Sequence, residues 1–261
     1  GLGVDIDTIS GTGPGGRVTK SDVESASTGS SATAAPAPAP AVASRVSVVE
    51  GVASTDKWGS TRRAPITQIR KTIAQQMTRS NTQAVHVTHM DQADVTQLES
   101  MRRQYNEVLG DGRRVTATAY VVRAVAMALR NHPVFNASLD MERGEIVYKE
   151  YINIGMAVDT ERGLVVPNIR DADRLGIVAI SESLAGIADK ARSARFAIDD
   201  LRGGTFTITN VGALGGVFST PIINYPESAI LGTGRAKETP VVRDGQVVVR
   251  KMMPPNSQSV A

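Results

Sequence analysis

Thr205, Thr207 and Thr209 stand at alternate positions, so a strand through them would place three hydroxyls on one face and Phe206 and Ile208 on the other. Gly212, Gly215 and Gly216 follow and permit turns and close backbone approach, which delivers the Thr209 end of the strand to a loop. A hydroxyl held in this way can donate a hydrogen bond to a substrate oxygen. Ordinary half-buried strands alternate in the same manner, so spacing alone leaves both readings open.

Two other patterns are weaker. Gly11, Gly13 and Gly16 fit the GxGxxG dinucleotide fingerprint, but only a few residues precede them, Pro14 lies inside, and no second strand follows. A structural turn is the better reading. His86 and His89 are an odd number apart in a predicted strand and would point to opposite faces, and His132 lies at a predicted helix end before Pro133. All three read as structural, and no metal site is expected. No nucleophile elbow or phosphate-binding loop is found.

Composition narrows the classes further. Of 261 residues, 41% are hydrophobic and 21% charged, as in a globular chain with a core. Lys plus Arg outnumber Asp plus Glu by 29 to 26, and a formal charge of +3 is too small to argue for nucleic acid. No apolar run approaches a membrane span and no signal-type segment follows Gly1. With no cysteine, thiolate catalysis, disulfides and cysteine zinc sites are excluded.

The elements that must position these groups read as α/β. Residues 1–26 form a partial small helical domain, with Thr19 capping a short helix and Asp22 in its first turn. Residues 27–60, rich in Ala, Pro and Ser, read as a flexible linker. Residues 61–261 read as one domain. Ile66, Ile69, Ile73 and Met77 predict a helix over 67–80, and further helices are expected near 94–105, 116–131 and 177–195. Strands are expected at 84–93, 135–139, 145–147, 151–159, 163–169, 205–209, 228–232, 235–243 and 246–253, with Asp244-Gly245 as a hairpin turn.

Five ordered segments resemble the dihydrolipoyl acyltransferase subunits of 2-oxo acid dehydrogenase complexes. They are RAPITQIRKTIAQQM from Arg63, HVTHMDQADVTQL from His86, NIGMAVDTERGLVVPNI from Asn153, GGTFTITNVGALGG from Gly203 and STPIINYPESAILG from Ser219. Val4 to Val23 is similar to the second half of that family's peripheral subunit-binding domain. The resemblance implies a chloramphenicol acetyltransferase-like mixed sheet with helices, and transfer of an acyl group, by default acetyl, from a dihydrolipoyl thioester to coenzyme A. It implies Thr209 as the hydroxyl that holds the oxyanion, Asp159 as a carboxylate ordering the substrate channel, and Leu231 as an apolar residue beside the site. Arg17 and Lys20 match basic side chains that hold dehydrogenase subunits.

The family's general base is a histidine in a DHRxxDG-type motif, expected a few residues beyond the strand ending at Met253. The residues there read PPNSQSVA, so the catalytic domain is expected to be C-terminally incomplete, without the base, a nearby Asp and its last core elements. The lipoyl group is expected on an upstream domain. Implied partners are two further copies in a homotrimer, a large core of such trimers, dihydrolipoyl dehydrogenase and 2-oxo acid dehydrogenase subunits. The implied compartment is the bacterial cytoplasm, or a mitochondrial matrix. The alternative is a noncatalytic scaffold that docks the same subunits.

Overall fold

The computed structural model describes residues 11–13, 17–27, 50–110, 114–160, 163–193 and 195–260. In chain order the elements are α1 (Lys20–Ser27), β1 (Val52–Asp56), β2 (Gly59–Arg63), α2 (Gln68–Gln83), β3 (His86–Met90), β4 (Ala93–Asp94), α3 (Thr96–Leu109) and α4 (Ala117–Asn131). Then follow β5 (Ala137–Asp140), β6 (Glu145–Tyr148), β7 (Ile154–Thr160), β8 (Gly163–Val165), β9 (Asn168–Ile169), α5 (Ile177–Arg192), β10 (Phe206–Asn210), β11 (Ala229–Thr233), β12 (Lys237–Arg243), β13 (Gln246–Met253) and β14 (Pro255–Val260). The chain divides into two units, residues 1–64 and 65–261.

In the first unit one carboxylate organises the small helix. Asp22 accepts from the Thr19 backbone N–H at 2.8 Å and hydroxyl at 2.9 Å, and from the Thr12 N–H at 3.1 Å and hydroxyl at 2.8 Å. These donors, the Thr19 backbone N–H foremost, hold its carboxyl well below the usual carboxylate range. A Cβ on Gly11 would lie 2.4 Å from the Arg17 carbonyl carbon, and Gly13 N–H donates to the Arg17 carbonyl at 3.0 Å. Gly11 and Gly13 therefore lie close against the Arg17 backbone; Gly16 lies outside the described residues. Of the expected linker, residues 28–49 also lie outside them, but its end is corrected. Val52–Asp56 and Gly59–Arg63 pair antiparallel, across a turn in which Asp56 Oδ1 accepts from the N–H groups of Trp58 and Gly59.

The second unit is built on a sheet in the order β3-β14-β11-β10-β7-β8, with β9 also on β7. β7, β10 and β11 run parallel in its centre, and β14 is antiparallel to both neighbours. α4 begins at Thr116, whose hydroxyl accepts from Ala119 N–H at 3.3 Å, and buries Ala119, Val122, Ala126 and Leu129 at helical spacing. With Ile180 of α5 these cover Ile154, Met156, Phe206 and Ile208. Each fully buried isoleucine there contributes roughly 1.5–3 kcal/mol. The β12–β13 hairpin turns at Asp244 and Gly245 with φ of 51° and 77°, as the sequence predicts.

β14 corrects the expectation that the sheet lacks a strand beyond Met253. Pro255–Val260 has no apolar alternation, yet its backbone pairs with β11 on one side and β3 on the other. This buries Asn256 completely, with neither Oδ1 nor Nδ2 partnered among the described residues. An unsatisfied buried amide costs about 1–3 kcal/mol. Asn256→Leu is therefore expected to raise the free energy of unfolding by that order in urea titrations, and an unchanged or lowered midpoint would count against this burial.

Candidate active site

Register decides which side chains share the hydroxyl face. Thr209 pairs with Ala157 of β7 and Gly232 of β11, while Ile208 pairs with Met156 and Leu231. Thr205, Thr207 and Thr209 thus face away from the α4/α5 core, as the alternation predicts. Asp159 lies two residues beyond Ala157 on the same face, exposed, and the structure brings it to the Thr209 side. The Thr209 hydroxyl has no hydrogen-bond partner among the described residues. Gly232, its neighbour, has no side chain to crowd it; a Cβ there would meet Ser219 Oγ at 3.2 Å.

Leu231 is the correction. It is counted beside the site by sequence, but strand alternation turns it, with Ile208, to the helix-covered face. There it lines an apolar cavity of about 380 Å³ with His89, His132, Phe135 and Phe206. Thr209 and Leu231 are on opposite sides of one sheet.

The register puts His86 and His89 on opposite faces of β3, as their spacing predicts. His86 shares the Thr209 face, but its Nδ1 is bonded to the Ala84 carbonyl at 2.6 Å and its Nε2 accepts from Ile223 N–H at 3.0 Å. It is also three strands across and four residues along from Thr209 in register, on the order of 20 Å. His89 is exposed beside Asp91, and His132 ends α4, its backbone N–H donating to the Ala128 carbonyl at 2.8 Å. No group of three His, Cys, Asp or Glu among the described residues could hold a metal. No helix among them is long and apolar enough to cross a membrane. Arg17 is exposed and Lys20 opens α1, both in the first unit.

A buried acid below Thr209 escapes the sequence reading. Glu227 is 3% exposed and accepts from the Thr207 hydroxyl at 2.7 Å and from Asn224 Nδ2 at 2.9 Å. Burial pushes its carboxyl up to about 7 against the pull of these two hydrogen bonds. Two glycines clear its space: a Cβ on Gly155 would meet Thr207 Oγ1 at 3.2 Å, and one on Gly204 would meet Glu227 Oε1 at 3.2 Å. The available signal was one acid inside the run IINYPESAILG, otherwise without charge.

A hydroxyl without a partner among the described residues thus stands at the C-terminal end of a central parallel strand, with a carboxylate on the same face, where a substrate oxygen could accept from it. Residues 59–258 match the family model of the 2-oxoacid dehydrogenases acyltransferase catalytic domain, and the chain belongs to that family. Residues 2–24 match the e3 binding domain. The chain is 41% identical over 252 residues to the dihydrolipoyllysine-residue acetyltransferase component of the pyruvate dehydrogenase complex of Bacillus subtilis, covering 96% of this chain and 57% of that protein. It is 40% identical over 257 residues to the same component from Staphylococcus aureus, covering 96% and 60%. The chain thus spans less than two thirds of these relatives. Its fold matches the dihydrolipoamide acetyltransferase of Azotobacter vinelandii with a TM-score of 0.75 and 35% identity, over 81% of this chain and 88% of that one. The cubic core of the pyruvate dehydrogenase multienzyme complex matches with the same scores and coverage.

Proposed function

We propose that this chain transfers an acyl group, acetyl in the first instance, from a dihydrolipoyl thioester to coenzyme A within a 2-oxo acid dehydrogenase complex. The carrying observation is the Thr209 hydroxyl at the end of β10, without a hydrogen-bond partner among the described residues and flanked by a glycine. The thiolate of coenzyme A attacks the thioester carbonyl, and the carbonyl oxygen becomes an oxyanion that the Thr209 hydroxyl stabilises. The carbon–sulfur bond to the dihydrolipoyl group then breaks. The proton taken from coenzyme A ends on the departing sulfur. Asp159, exposed on the same face, orders the approach to this centre. Leu231 acts from the opposite face, by packing behind Ile208 and supporting β10.

The base has no counterpart among the three histidines placed above, so the 261 residues by themselves are proposed to be inactive. That same observation favours the second reading, a noncatalytic docking chain. An assay of acetyl, succinyl and branched-chain acyl-dihydrolipoamides with coenzyme A separates the readings when imidazole is supplied as a base. Acetyl is expected to transfer best, and transfer from none of the three overturns the catalytic reading.

The dihydrolipoyl group would arrive on a separate lipoyl domain. Homotrimers assembled into a larger core, in the cytoplasm of a bacterium, would set Thr209 of one subunit at the boundary with the next; the match to a cubic core supports the larger assembly. The match of residues 2–24 supports docking of dihydrolipoyl dehydrogenase and 2-oxo acid dehydrogenase subunits through Arg17 and Lys20. Arg17→Glu is expected to weaken binding of dihydrolipoyl dehydrogenase about tenfold at low salt, with the difference shrinking in 1 M salt by surface plasmon resonance. Equal affinities at low salt would remove Arg17 from the contact.

A further inference from the structure

We infer that Glu227 is a positioning residue for Thr209, acting through the Thr207 hydroxyl and strand β10. The inference rests on the acyl-transfer reading above and adds to it a residue that touches no substrate. Thr207 and Thr209 are successive residues of one face of β10, and Thr207 is anchored from below by Glu227 Oε2 at 2.7 Å. Glu227 belongs to the loop 219–228, which crosses that face. At one end Ser219 Oγ lies against Gly232, the register partner of Thr209; at the other Glu227 lies under Thr207.

The loop is fastened independently of β10. Ile223 N–H donates to His86 Nε2, its carbonyl accepts from the Ser80 hydroxyl, and Tyr225 carries the Arg79 guanidinium 4.8 Å above its ring and donates to the Leu139 carbonyl. Asn224 Nδ2 holds the other oxygen of Glu227. A rigid loop therefore grips the strand one hydroxyl short of the reactive one. Gly155 and Gly204 leave the room that this grip occupies. Among the described residues, the carboxyl is the ionisable group of the loop that bonds β10 directly.

Its surroundings give its titration a clean meaning. The titratable groups on the packed elements include Arg79 of α2, His86 of β3, Asp140 of β5, Asp159 of β7 and Tyr225 of the loop. No charged side chain acts on Glu227 itself; burial and two neutral donors set its proton affinity. Ionisation turns the Thr207 hydrogen bond into a charge-assisted one, which shortens it and draws β10 toward the loop. The Thr209 side chain moves with its strand.

The test is methyl NMR of the 261-residue chain labelled at threonine, followed from pH 5 to 9, with coenzyme A binding measured by calorimetry on the same samples. The Thr209 methyl is expected to follow one titration, which Glu227→Gln abolishes while keeping the fold, and which Thr207→Val abolishes at Thr209 although the carboxyl still ionises. A role in stability alone would leave the Thr209 signal flat in all three proteins. A flat wild-type signal, or a titration that persists in Glu227→Gln, overturns the inference. A titration as expected with no binding of coenzyme A at any pH leaves the Glu227–Thr209 coupling standing and overturns the acyl-transfer reading, so the two failures are told apart.

Discussion

Acetyl transfer from S-acetyl-dihydrolipoamide to coenzyme A by the 261-residue chain is expected to be undetectable in plain buffer and to appear when imidazole is added. Thr209→Ala is expected to lower the rescued rate about 10²–10³-fold, the usual loss for one oxyanion donor, or about 3–4 kcal/mol of transition-state stabilisation. Two facts of geometry set these outcomes. His86 has both nitrogens bonded and lies on the order of 20 Å from Thr209, while His89 and His132 border the cavity on the other face of the sheet. None of the three histidines lies beside the Thr209 hydroxyl within one subunit, and loss of a catalytic histidine costs up to about 10⁶-fold in enzymes of related logic. Imidazole in solution supplies the proton acceptor but not the oxyanion donor. Its rescue should therefore keep the full dependence on Thr209. Thr209→Ser should keep most of the rescued rate, because serine donates the same hydrogen bond without the methyl that restricts the threonine rotamer. Turnover at ordinary enzymatic rates without imidazole would show that a base is present after all. Rescue unaffected by Thr209→Ala would remove the hydroxyl from the mechanism.

Elements whose residues obey one strong local rule were legible in the sequence. Ile69, Ile73 and Met77 mark α2, the Ala-rich run after Thr116 marks α4, and Asp244-Gly245 marks its hairpin, because spacing, a cap and turn chemistry act within a few residues. The Thr209 hydroxyl was legible for the same reason, since alternation fixes its face once the strand exists. What failed depends on neighbours far away in the chain. β14 forms from Pro255–Val260 because β11 and β3 offer backbone partners on both sides, and nothing in PNSQSV announces that. Leu231 was assigned to the site from its place in a motif, but only register against Ile208 says which way it points. The β1–β2 hairpin was hidden by its nearness to an Ala/Pro-rich run, although Asp56 and Gly59 carried the turn. Glu227 is a charge in a buried position, which sequence patterns treat as surface until the fold closes over it.

That buried acid sets the pH dependence of stability. The carboxyl has an ordinary value of 4.5 and is pushed up to about 7 by burial, so between these values the folded chain binds a proton that the unfolded chain has released. Stability contributed by the protonated group is complete below pH 4.5, falls as pH rises toward 7, and stays lower above it. A difference of this size corresponds to about 3 kcal/mol. Urea midpoints are therefore expected to decline from pH 5 to pH 8 in the wild type. Glu227→Gln keeps a neutral side chain of the same shape, so its curve should lack that component and lie above the wild type at pH 8. The donors of Thr207 and Asn224 favour the ionised form and limit the shift; replacing Thr207 with Val should steepen the decline, since the anion then keeps one donor fewer. The glutamine variant and the wild type running parallel from pH 5 to pH 8 would mean that Glu227 is already ionised in the fold at pH 5. A cation or water would then have to reach it through the loop 219–228, and the tight closure of that loop over β10 would be the first feature to give way.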